Sequence, residues 1–417
     1  MNKTAKSLAA SGAALTLAAP MSSALGALED SVSFGAWFNY EYVNDNKADE
    51  NVGGDIDYPS FNIYVNHHPD DTPWFLDAEL RIGEGSFQSF SGDDREWGFK
   101  ELAVGRSYGE AWTMRLGKTE VPFTYSRFNF WPGERMARGF GDQYNPGLRL
   151  DYDPSGSAFD MSLMFIKSQN WGDDTTSQDD GAKIGYDVNS LGQHWGSNET
   201  YRKVNTLVGD FGITTGDFRH GLSVQAGQLA TQEGVYNDIT PDDPSTIDGG
   251  DETETHWAAG LYTEGSVEAL ELAGQVVHFD QGDLGDLYAS DTEDDKGRAP
   301  ANEEFEPGEV TSFETRGEGQ MAMLSAGYNA GDFFNYADLS MRFPDSDLDQ
   351  DDTTDLVLGS RYDYGPGWIY AEFTLTNLTQ EDTPVSFQED APVSQGGFYT
   401  TSGDRQETVH LTMDYYF

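Results

Sequence analysis

Cysteine is absent from the 417 residues, so neither disulfide staples nor thiolate chemistry is available to this chain. Cationic side chains are scarce: 24 Lys and Arg stand against 73 Asp and Glu, a formal charge of −49. With no basic stripe to offset repulsion from phosphates, nucleic acid is excluded as a partner. Long apolar runs are missing too. Mean hydropathy is −0.60, and the apolar run Leu8–Ala19 is too short to cross a bilayer as a helix. A helical membrane protein is therefore excluded. A membrane barrel is not, because only every second residue of its strands must be apolar. No zinc spacing, P-loop or nucleotide-binding glycine motif occurs, so no cofactor is expected. The chain holds seven His, and the nearest approach to a nucleophile–base pair is His410 with Thr412. That is a weak basis for catalysis, and neither a catalytic residue nor enzyme activity is expected.

What is present is a period of two. Residues 1–26 read as an export signal, with Lys3 and Lys6 before the apolar run and Ala24-Leu25-Gly26 at the cleavage site. Residues 27–417 then form one barrel domain. In Ser31–Val43, the residues Val32, Phe34, Ala36, Phe38, Tyr40 and Tyr42 share one face, and Ser33, Gly35, Trp37, Asn39 and Glu41 the other. Pro73–Gly83 sets Trp74, Leu76, Ala78, Leu80 and Ile82 against Asp77, Glu79 and Arg81. About sixteen such runs follow one another to Thr408–Phe417, which predicts an all-β, antiparallel transmembrane barrel. The connections alternate in length. Short ones such as Tyr108–Glu110, Gly216–Asp217, Glu264–Ser266 and Ala330–Asp332 lie between long ones such as Glu84–Glu96 and Thr231–Glu254. Tight periplasmic turns and long external loops have this rhythm.

The long loops carry the acid. Thr231–Glu254 holds eight Asp or Glu and no Lys or Arg, and Asp280–Arg316 holds twelve against Lys296, Arg298 and Arg316. Solubility in a salty medium and cation binding at the mouth are both open as reasons for this surface. Asp345, Asp347, Asp349 and Asp351 alternate as in a calcium loop, but Gln350 and Leu356 stand where the glycine and glutamate of such a loop belong. His67-His68 lies in a turn and is a weak metal signal, so no metal site is expected.

One loop differs from the rest. Lys118–Gly147, KTEVPFTYSRFNFWPGERMARGFGDQYNPG, follows the fifth strand as the third long loop, and is too aromatic for a solvated connection. Lys118, Arg127, Arg135 and Arg138 outnumber Glu120, Glu134 and Asp142, so the loop is locally +1 in an acidic chain. It is expected to fold inward and narrow a pore. Strand parity puts Arg81, Arg115 and Arg149 on the lumen face, with Arg219 and Arg361 farther round. Together with Arg127, Arg135 and Arg138, these arginines are the candidate constriction and solute-binding residues. Guanidinium forks suit oxyanions. Pairing with neighbouring carboxylates, so that the arginines clamp the loop to the wall, is the other role open to them.

Around this loop the chain resembles a known family. FKELAVGRSYGEAWTMRLGKTEVPF, with Lys100, Glu101, Arg115, Leu116, Gly117, Pro122 and Phe123, then Glu134-Arg135, is similar to a segment of the phosphate-selective porin O and P family. The resemblance covers about a tenth of the chain. It implies a trimeric, sixteen-stranded barrel whose third loop narrows the pore, passing anions in its best-known members. Those members use a lysine-rich funnel, whereas this chain has few lysines and acidic outer loops. The last strand, with Val409, Leu411, Met413, Tyr415 and Phe417 on one face, resembles the signal that barrel-assembly machinery recognises. The expectation is therefore a homotrimeric porin in the outer-membrane lipid, exported through the periplasm, that passes small hydrophilic solutes or ions with a weak anion preference. The alternative is a closed receptor or adhesin barrel whose acidic external loops bind cations.

Overall fold

The computed structural model describes residues 31–43, 54–83, 97–124, 128–129, 144–168, 201–231, 253–280, 286–290, 310–314, 318–344, 352–376, 378 and 406–417. The export-signal segment, Arg127, Arg135 and Arg138, and the Asp345–Asp351 stretch lie outside these residues. The first nine strands are β1 (Val32–Val43), β2 (Asp55–His67), β3 (Trp74–Ile82), β4 (Trp97–Tyr108), β5 (Trp112–Glu120), β6 (Tyr144–Tyr152), β7 (Phe159–Ser168), β8 (Tyr201–Thr215) and β9 (Phe218–Thr231). There follow β10 (Thr253–Val267), β11 (Leu270–Asp280), β12 (Asp286–Ser290), β13 (Val310–Glu314), β14 (Glu318–Ala330), β15 (Phe333–Pro344), β16 (Thr353–Asp363), β17 (Trp368–Thr376) and β18 (Gln406–Tyr416). Sixteen of them close into one antiparallel barrel, each strand beside its chain neighbour, with β11 pairing directly to β14. β12 and β13 make a separate two-stranded hairpin on the long connection between those two.

Closure is made at the C-terminal strand. β1 pairs with β18 from Gly35–Tyr416 to Val43–Thr408. Phe417 N donates to Phe34 O at 2.9 Å, Phe34 N returns the bond to Phe417 O at 3.1 Å, and their rings stack 5.8 Å apart. A closed sheet has no free edge, so every ladder group is satisfied within the wall.

Parity decides the environment. Leu116, Leu207, Val276, Leu261 and Leu324 all point outward and are more than half exposed. On the opposite face of the same wall Asp210, Ser223, Asp338, Asp355, Glu372, Thr412 and Asp414 are buried. A water-soluble protein arranges these two classes the other way round. Apolar outside and polar inside, in a closed wall of strands long enough to cross hydrocarbon, is the arrangement of a membrane-spanning barrel.

The turns show one departure from the expected boundaries. Gly216 (φ 62°) and Gly331 (φ 67°) open two-residue hairpins before Asp217 and Asp332, as a type II′ turn requires. The reversal expected at Glu264–Ser266 falls instead at residues 268–269, between the paired Val267 and Leu270, with Glu268 at φ 55°. Gly265, inside the expected turn, is a strand residue, glycine because a Cβ there would stand 2.5 Å from the Asp217 carbonyl oxygen and against the Phe218 ring. Here a glycine marks close backbone approach rather than reversal.

Candidate functional site: a loop latched inside the barrel

The loop after β5 turns inward within its first residues. Phe123 N donates to Val121 O at 2.9 Å, a tight turn centred on Pro122, whose ring already holds the backbone angle such a turn needs. Val121 and Phe123 are buried in a cluster with Met164 and Ile166 of β7, Val208 of β8, Ala258 of β10, Val277 and Phe279 of β11, and Met321 of β14. These are inward-facing positions. A polar bore would have no use for an apolar wall there, and the loop covers it.

Two polar latches hold the loop. Thr124 has φ 60°, a strained conformation for a β-branched residue, and its N–H donates to Ser223 Oγ of β9 at 2.8 Å. The Ser223 hydroxyl donates onward to Asp210 Oδ1 at 2.6 Å. Asp210 also accepts from Tyr262 Oη at 2.9 Å and from Arg219 Nη2 at 2.5 Å. Arg219 reaches Asp160 at 2.6 Å as well. The second latch lies on β15. Phe128 meets Phe334 edge-on, centroids 5.2 Å apart, and Asn129 N–H donates to Asp338 Oδ2 at 2.8 Å. Round the wall β15 is the eighth strand on from β5, so the loop crosses from one side of the barrel to the other. The inward fold expected for this loop is present in the residues described.

Bare backbone on the wall makes room for it. A Cβ on Gly260 would lie 3.0 Å from the Thr124 methyl, and one on Gly327 would run into the Phe334 ring with Phe128 at 3.3 Å. Elsewhere on the inner face Phe75 lies over Gly105, Tyr262 over Gly221 and Tyr336 over Gly359, each a direct cross-strand pair. A ring laid across a strand glycine restores the packing that glycine lacks.

The lumen arginines are where parity put them, and each meets a carboxylate. Arg115 and Arg149 are register partners on β5 and β6, an unfavourable opposition of like charges that Asp151 resolves. Arg115 Nη1 donates to its Oδ2 at 2.5 Å, Arg149 Nε to its Oδ1 at 2.7 Å, and Ser162 Oγ to Oδ1 at 2.7 Å. Arg149 Nη1 also donates to the carbonyl of Glu120, where the loop departs, at 2.8 Å. Arg81 is not brought to this pair. It sits on β3 with Nε 2.6 Å from Glu79 Oε1. Arg361 pairs with Asp363 at 3.2 Å. All of these arginines pair with wall carboxylates, and Arg149 also bonds the root of the loop, at Glu120.

Residues flagged for other chemistry are used locally. His68 lies 2.6 Å from Asp77 and stacks on Phe75, while His67 meets Ser31. No group of three or more His, Asp or Glu fit to hold a metal occurs among the described residues. The Thr412 hydroxyl donates to Asn39 Oδ1 at 3.0 Å rather than serving His410. Ser223, Asp338, Gly260 and Gly327 were not anticipated as seats of the loop. Their one sequence signal was a small residue at an inward strand position, which alone does not say what lies over it.

No protein-family model matches the chain, and no curated protein matches it. Solved structures do. OmpF of Salmonella typhi in complex with daunomycin aligns with a TM-score of 0.54 at 9% identity, over 93% of this chain and 97% of that one. The outer-membrane channel DcaP of Acinetobacter baumannii aligns with a TM-score of 0.53 at 11% identity, over 93% of this chain and 96% of that one. An anion-selective porin from Comamonas acidovorans aligns with a TM-score of 0.50 at 14% identity, over 93% of this chain and 99% of that one. At such identities the likeness establishes a shared fold, the closed antiparallel barrel of outer-membrane porins.

Proposed function

We propose that this chain is an outer-membrane porin, a water-filled channel for passive diffusion of small hydrophilic solutes, narrowed by the loop between β5 and β6. The observation that carries the reading is the pair of latches, Thr124 to Ser223 and Asn129 to Asp338, which hold the loop inside a closed barrel. Binding inside such a pore is weak, since a channel must release what it admits. The short motif around Lys100, Glu101, Arg115–Gly117, Pro122 and Phe123 supports kinship with phosphate-selective porins of the O and P type, and with it a homotrimer delivered by the barrel-assembly machinery. Anion preference is the finer part of the proposal. Arg81, Arg115 and Arg149 are engaged by Glu79 and Asp151, so that preference rests on Arg127, Arg135 and Arg138.

The test is single-channel conductance in a planar bilayer. Deleting Phe128–Gly139 removes the β15 latch, and the expected outcome is a larger conductance from a barrel that still shifts on a gel when heated. An unchanged conductance from a folded barrel would reject the narrowing role. A wild-type barrel that conducts nothing would favour the closed receptor or adhesin instead.

A further inference from the structure

The outer surface carries a charge that the channel reading does not use. At the short-turn ends of the described strands, the outward positions hold one Arg, Lys, Asp or Glu, and it is Arg106 of β4. Its register partners are Trp74 of β3 and Met114 of β5, and the neighbouring outward residues Leu102, Val104 and Leu116 are exposed apolar side chains. The guanidinium carbon sits 5.1 Å from the Trp74 ring centroid and 4.8 Å from that of Tyr108. Its Nε is buried with no hydrogen-bond partner, and no carboxylate among the described residues pairs with it. Among the described lumen arginines, Arg81, Arg115, Arg149, Arg219 and Arg361 each have such a carboxylate.

The level of Arg106 in the membrane follows from its place in the strand. It stands two residues from the end of β4, roughly 7 Å at the usual rise per strand residue. Trp74, Tyr108, Trp112, Tyr152 and Phe159 surround that end, with Trp112 and Tyr152 centroids 4.5 Å apart and Tyr152 and Phe159 6.3 Å apart. Such an aromatic girdle marks the boundary between hydrocarbon and headgroups. An arginine on the lipid face costs roughly 2–4 kcal/mol at the bilayer midplane and about 0–1 near the interface. At headgroup level it is tolerable without a carboxylate, because phosphate is there.

We propose that Arg106, flanked by Trp74 and Tyr108, is a binding site for the phosphodiester of a membrane phospholipid on the short-turn side. The two rings flank the guanidinium, and its terminal nitrogens carry the N–H donors that would fork a phosphate. Val104, Met114 and Leu116 run from it toward mid-membrane as a bed for an acyl chain. The inference rests on the barrel lying in a bilayer and is independent of what passes through it, so a barrel without conductance would leave it standing.

Native mass spectrometry of the refolded, delipidated barrel tests it, with short-chain phosphatidylglycerol, phosphatidylethanolamine or inorganic phosphate added in turn. The expected result is one retained molecule of either lipid, bound about tenfold less tightly by Arg106→Gln, the equilibrium equivalent of one charge-assisted hydrogen bond. Lys167→Gln, a change at the long-loop end, is expected to retain lipid as the parent does. Should Arg106→Gln fail to fold, Trp74→Leu with Tyr108→Leu keeps the arginine, removes its flanking rings, and is expected to weaken retention severalfold. Equal retention by parent and variant would overturn the proposal. Displacement of the lipid by an equal concentration of inorganic phosphate would overturn it too, by showing a site for a bare anion.

Discussion

Asp338 and Ser223 are small side chains with a large lever arm, because each holds one backbone N–H of a loop that crosses the barrel. Thr124 at φ 60° stores about 1–3 kcal/mol of backbone strain, so the loop stays inward only while its bonds outweigh that cost. Losing one partner of a buried hydrogen bond costs about 1–3 kcal/mol, comparable to the strain it offsets. Asp338→Ala is therefore expected to raise the rate of open-channel flicker severalfold. Asp338→Asn retains an acceptor oxygen and is expected to behave like the parent. Equal flicker in the two variants would show that the carboxylate acts through its charge and not through the bond to Asn129. The same reasoning explains Asp151, which separates two arginines that the register sets face to face.

At the scale of elements, β-strands tolerate valine better than glycine, yet β10 and β14 keep Gly260 and Gly327 under the loop. Substituting Gly260→Val keeps strand pairing and fills the seat of Thr124, whose methyl is 3.0 Å from the position of a Cβ. The expected outcome is a folded, heat-modifiable barrel with raised conductance, since the loop must leave a seat that no longer fits it. A conductance equal to the parent's would mean that the neighbouring strands give way instead. The strand ends follow a different logic. Gly216 and Gly331 supply the left-handed first residue of two-residue turns, whereas Gly265 serves the close approach of β9.

For the whole molecule, the charge map has two ranges. Charge at a solvated pore mouth is screened over about 8 Å at physiological salt, while charge in a narrow, partly desolvated zone is screened less. Any cation preference set at the mouth is expected to fade as salt rises, leaving the narrow zone to decide. Replacing Arg127, Arg135 and Arg138 together with Gln is then expected to move the zero-current potential in a salt gradient toward cations. No movement at high salt would remove the anion preference from the proposal.

The alternation of apolar and polar residues, with the alternation of short and long connections, was enough without coordinates to indicate a barrel of about sixteen strands, their inward and outward faces, and the odd character of the loop after the fifth. Period two is a local property, and each strand reports its own two faces. Reading Arg81, Arg115 and Arg149 as inward-facing needed nothing more. What each of them touches was not legible, because Arg115 and Arg149 meet on Asp151 only through register across β5 and β6, and register is set by the closing of the whole sheet. The same holds for the latches. Thr124 and Ser223 are 99 residues apart, and Asn129 and Asp338 are 209 apart. No periodicity links them, and only the curvature of a closed barrel brings the far wall within hydrogen-bonding distance of the loop.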